Sequence, residues 1–80
     1  MQIDLHGFEV VDAKIEIYQA LNECKAVGDS VLQCVHGFRH GRAIRNAIRS
    51  NKFLAHLKRK GYQISDVIHR SEAITEFRLS

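Results

Sequence analysis

Eighty residues, 45% hydrophobic and 26% charged, suffice for one small domain (residues 1–80) that buries only about 60% of its unfolded surface. A formal net charge of +3 is mildly basic, and no apolar run approaches the ~20 residues of a bilayer crossing, which leaves membrane partners out. The N-terminus carries no charged-then-apolar leader, so a cytoplasmic setting is expected.

Residues 2–6, Gln-Ile-Asp-Leu-His, alternate in character and predict a strand. Ile3 and Leu5 share one face of it, Asp4 and His6 the other. From Val10 to about Val27 the period is helical. Asp12, Glu16, Gln19 and Glu23 form one narrow polar stripe, while Ala13, Ile17, Ala20, Leu21 and Cys24 fill the rest. That pattern predicts a helix largely covered, with an acidic exposed edge, and Gly28 placed to end it. Ser30 to His36 is nearly continuous apolar sequence, the pattern of a strand buried on both faces.

A second helical segment starts near His40. Arg42, Arg45, Arg49 and Lys52 fall within roughly 80° of one another at 100° per residue. Ala43, Ile44, Ala47 and Ile48 make the opposite stripe. The phase then fails, because a straight continuation would put Phe53 among the arginines. Ser50 and Asn51 are good N-cap residues, which predicts a break and a short helix over 52–60, ending at Gly61. Two strands close the chain. In the first, Tyr62, Ile64 and Ile68 alternate with Gln63, Ser65 and His69. In the second, Ala73, Thr75, Phe77 and Leu79 alternate with Ile74, Glu76 and Arg78. The short link between them suits a hairpin.

The order β-α-β-α-β-β defines the expected fold, a single small α/β domain built as a two-layer sandwich with a four-stranded mixed sheet. Cys24 and Cys34 both fall on apolar positions and read as small core residues. There is no CxxC and no zinc-finger spacing.

The candidate chemistry starts from His-Gly-Phe, which occurs as residues 6–8 and again as residues 36–38. That interval is about one βαβ unit, so both histidines should end parallel strands at the edge where ligands collect, and lie close together there if the two strands are neighbours. Asp4 stands two residues before His6, placed to set the tautomer and basicity of an imidazole. His6 and His36 across a phosphodiester could act as base and acid. Gly37 and Gly41 bracket Phe38, Arg39 and His40 in a loop that opens a helix, where backbone N–H groups can meet phosphate. Arg39, Arg42, Arg45 and Arg49 continue that positive field, with no opposite charge in the row. His56 and His69 lack such company and read as structural or surface residues.

Ile3-Asp4-Leu5-His6-Gly7, a helix, and then Val35-His36-Gly37 entering a glycine loop together resemble the Smr (small MutS-related) domain family. The resemblance covers the whole chain in length and element order. Many members carry His-Gly-x-Gly-x-Gly, whereas Arg39 occupies the middle glycine position here. What the resemblance implies is nucleic-acid binding with endonuclease cleavage of RNA or DNA. Asp4, His6 and His36 would do the chemistry, with Gly37, Arg39, His40, Gly41, Arg42, Arg45 and Arg49 at the phosphates. RNA cleavage through the 2′-hydroxyl would need no metal, while DNA cleavage leaves room for a divalent ion. The alternative is a non-catalytic module that docks RNA, a ribosome or structured DNA.

Overall fold

The computed structural model of the chain describes residues 1–37 and 41–80. Its elements run β1 (Gln2–Asp4), α1 (Val10–Val27), β2 (Val31–Val35), α2 (Arg42–Ile48), α3 (Asn51–Arg59), β3 (Ile64–His69) and β4 (Ile74–Leu79). The strands form one sheet in the order β1-β2-β4-β3. β1 and β2 are parallel, joined by the α1 crossover, and β4 runs antiparallel to both β2 and β3. This is the expected mixed four-stranded α/β sandwich, with the second helical segment split in two.

Local signals account for most of these boundaries. The residues that α1 buries are Ala13, Ile17, Ala20, Leu21 and Cys24, a helical stripe. Gly28 follows in the left-handed region at φ 74° and its N–H bonds to the Cys24 carbonyl, closing the helix as glycine does. The break between α2 and α3 falls at Ser50, which is extended and accepts the Phe53 N–H on its hydroxyl. Breaking there re-phases the apolar positions. Ile44 and Ile48 of α2 and Phe53 and Leu57 of α3 can then all enter the core. An unbroken helix would have turned Phe53 outward.

All three helices pack on one face of the sheet, α1 on β2, α2 on β4 and α3 on β3. Leu32, Cys34, Ile64 and Phe77 meet them there, with the rings of Phe53 and Phe77 edge to face at 6.3 Å. Both cysteines are buried and free, and burial pushes the Cys34 thiol up to about 12.

Three expectations need correction. β2 is not covered on both faces. Leu32 and Cys34 face the helices, whereas Val31, Gln33 and Val35 lie half-buried on the open side. The apolar run looked two-sided because half-buried valines fill a bare face without a second helical layer. Nor is α1 largely covered, since Val11, Ile15 and Val27 are exposed and Glu16 is half-buried. Finally, a register shift between Ile64 and Asp66 changes the phase of β3. Ile68 pairs with Glu76 and Val67 with Phe77, so Ile68 faces the open side, opposite Ile64.

On that open face the Glu76 carboxylate is 1% exposed and accepts from Arg70 (3.0 and 3.1 Å), Arg78 (2.9 Å) and Gln33 (2.9 Å). These hydrogen bonds, Arg70's foremost, hold its carboxyl down at about 2. Four side chains, from β2, β4 and the β3–β4 link, thus stitch the uncovered face.

Candidate functional site

The rim of the sheet at the ends of β1 and β2 gathers the residues that the sequence singled out. β1 stops at Asp4, although the Leu5 N–H still reaches the Val35 carbonyl at 2.8 Å. The chain then turns through His6 and Gly7, whose φ of 82° needs glycine. The Asp4 carboxylate accepts the main-chain N–H of His6 at 2.9 Å. It therefore braces the backbone of the turn instead of partnering the ring. His6 itself is exposed.

The second corner is built differently. The N–H groups of His36 and Gly37 both donate to the Ala73 carbonyl, at 2.9 and 3.2 Å, which ties β2 to the link before β4. Gly37 has φ 87°, and a side chain there would lie 3.8 Å from Cδ2 of His6. The first corner's ring thus sits over the second corner's glycine. Gly41 approaches the same backbone so closely that a Cβ would fall 2.2 Å from the His36 carbonyl oxygen and 2.4 Å from that of Gly37. No other residue fits there.

The His36 ring points into the fold and is 1% exposed. Its Nε2 lies 2.9 Å from the Thr75 hydroxyl and its Nδ1 lies 3.3 Å from the Gly37 carbonyl. Arg49 donates from Nε to the same hydroxyl at 2.7 Å, and from its guanidinium to the carbonyls of Ile74 (3.0 Å) and Ser71. Burial first, then the charges of Arg49 and Arg45, push the His36 imidazole below its ordinary pKa. Only its bond to the Gly37 carbonyl opposes them. Arg45 pairs with Glu72, so the row does meet an opposite charge, supplied by the β3–β4 link. Sequence spacing could not show it, because Glu72 lies 27 residues away. Arg42 is exposed at the start of α2.

No family model matches the chain. Over 54 residues, 64% of its length, it is 43% identical to the endonuclease MutS2 of Thermus thermophilus, of which it spans only 7%. The crystal structure of the Smr domain of Thermus thermophilus MutS2 aligns with a TM-score of 0.78 and 31% identity, covering 99% of this chain and 96% of that one. The chain belongs to the Smr domain family.

In this Smr domain Asp4, His6, His36, Gly37 and Gly41 converge on one rim, with Arg45 and Arg49 bonded to its outer edge. Arg39 and His40, assigned to phosphate, lie outside the described residues. Among the described residues no three His, Cys, Asp or Glu side chains cluster closely enough to hold a metal ion. No helix among them is long and apolar enough to cross a membrane. Sequence reasoning missed Thr75, Ser71 and Ala73, which join the rim only through the hairpin. Thr75 left one signal, a hydroxyl in the inward series Ala73, Thr75, Phe77, Leu79. A buried polar residue in such a series needs a partner.

Proposed function

We propose that this Smr domain binds the phosphodiester backbone of RNA or DNA at the rim and cuts it there. The observation that carries the reading is the exposed His6 imidazole seated over Gly37. It is supported by a fold shared end to end with the Smr domain of a protein named an endonuclease. Imidazole titrates near neutral pH, so His6 can take the proton from an attacking oxygen or return one to the leaving oxygen. Asp4 holds the His6 main chain and with it the direction of the ring. His36 serves as the second proton carrier if the complex uncovers it, and in the closed corner it positions Gly37.

Phosphate contact falls to Gly37, Arg39, His40, Gly41, Arg42, Arg45 and Arg49. Arg42 is the readiest of these, being exposed, whereas Arg45 would exchange Glu72 for phosphate. With RNA the 2′-hydroxyl attacks. With DNA, water attacks, and Asp4 with His6 would hold any divalent ion that activates it. Two buried, free cysteines suit a reducing cytoplasm.

A second reading, binding to RNA, a ribosome or structured DNA without cleavage, is favoured by the burial of His36, which among the described residues leaves one open imidazole at the rim where acid–base pairing wants two. One experiment decides between them. Wild-type, His6→Ala and Arg42→Ala domains are incubated with single-stranded RNA, duplex RNA and supercoiled DNA, with and without EDTA. The nuclease reading expects the wild type to cut and His6→Ala to bind but lose about 100-fold or more in rate. Binding of every substrate with no cleavage would establish the second reading instead.

A further inference from the structure

We propose that Thr75 is a positioning residue of the rim, and that the chain Arg49–Thr75–His36 holds His36 as a neutral imidazole carrying its proton on Nδ1. Donor counting leads there. The Arg49 Nε–H, 2.7 Å from the Thr75 oxygen, can only donate. Thr75 therefore accepts from Arg49 and keeps one proton to give. Its remaining near partner among the described residues is His36 Nε2 at 2.9 Å. If Thr75 donates, Nε2 is the bare nitrogen and Nδ1 bears the hydrogen, facing the Gly37 carbonyl at 3.3 Å. The Thr75 hydroxyl and both ring nitrogens of His36 then each have a partner.

The opposite tautomer fails on the same count. With the proton on Nε2, the Thr75 oxygen would accept twice and its own proton would be left without a partner at a site 0% exposed. The bare Nδ1 would also face a carbonyl lone pair. A buried donor left without an acceptor gives up its bond to water and gains nothing in return. The imidazolium has the same fault and adds a charge beside Arg49 and Arg45.

The consequence lies at the corner. Thr75 on β4, Arg49 just past α2 and His36 just past β2 arrive from three different parts of the fold. Arg49 also grips the Ser71 and Ile74 carbonyls, and Ala73 between them holds the His36 and Gly37 N–H groups. The hydroxyl thus locks the ring whose neighbour, Gly37, carries the His6 imidazole. That consequence rests on the rim being the working site, whereas the ring state does not.

Ring ¹⁵N chemical shifts of the whole domain, followed from pH 8 to pH 5 without nucleic acid, test it. The wild type is expected to show His36 neutral at pH 7 with Nδ1 protonated. Thr75→Ser, which keeps the hydroxyl, should retain that signature. Thr75→Val, which keeps the shape and loses the hydroxyl, should leave Nδ1 protonated on the Gly37 carbonyl but shift the ¹⁵N resonance of Nε2, which loses its donor. A wild-type His36 protonated on Nε2, or charged at pH 7, overturns the proposal even if Thr75→Val fails to fold. A Thr75→Val spectrum identical to wild type overturns it equally. Because the readout involves no substrate, its result is separable from whether the domain cleaves anything.

Discussion

Two His-Gly corners end neighbouring parallel strands, and the fold uses them in opposite ways. At the first, His6 is exposed and its main chain is braced by Asp4. At the second, the ring is buried, bonded at both nitrogens and surrounded by arginines tied to the β3–β4 link. The same tripeptide therefore builds a working surface in one place and a support in the other. Local sequence sets where each strand ends, but the neighbours that close over a corner decide what its histidine can do.

Glycine substitutions should separate the corners most sharply. Gly41→Ala forces a Cβ into two backbone carbonyl oxygens, which no rotamer relieves. We expect a loss of about 3 kcal/mol, about 15 °C in a domain this size, read by thermal and urea unfolding. Gly7→Ala meets no atom within 4 Å and costs only its left-handed backbone, about 1 kcal/mol. Equal losses would mean that the second corner is not packed as described.

The histidines should come next. His36→Ala empties a buried site and orphans Thr75, for about 2–3 kcal/mol, whereas His6→Ala should stay within about 0.5 kcal/mol. Their pH responses should differ too. The folded-state pKa of His36 is depressed, so below its ordinary value near 6.5 the unfolded chain takes up a proton that the folded one refuses. Stability is full above that value and declines as pH falls through it. His36→Ala should remove this decline and His6→Ala should keep it. A second decline, as pH drops from about 4.5 toward about 2, belongs to the lowered carboxyl of Glu76 and should survive both changes. Urea midpoints at pH 7.5, 6 and 5 read the first decline, and midpoints at pH 4 and 3 read the second.

The smallest effect tests the arginines. Arg42→Ala should weaken nucleic-acid binding modestly and reduce the salt slope of log K by about 1. An unchanged slope would remove Arg42 from the phosphate contacts.

Much of this was legible in the sequence. The buried stripe of α1, Gly28 as its cap, the Ser50 break and the parallel placement of the two His-Gly strands all follow from short-range rules, since period, capping and crossover length act within one or two elements. What did not follow was set by contacts distant in sequence. The bulge that turns Ile68 outward depends on pairing with β4, and the Glu72 partner of Arg45 arrives with the hairpin. The acceptor for Arg49 is a hydroxyl 26 residues away. For the rim itself, the sequence alone determined that His6 and His36 end parallel strands at one edge. Only tertiary structure decided that one ring faces solvent and the other faces Thr75, because burial is a property of what packs over a residue and not of the residue itself.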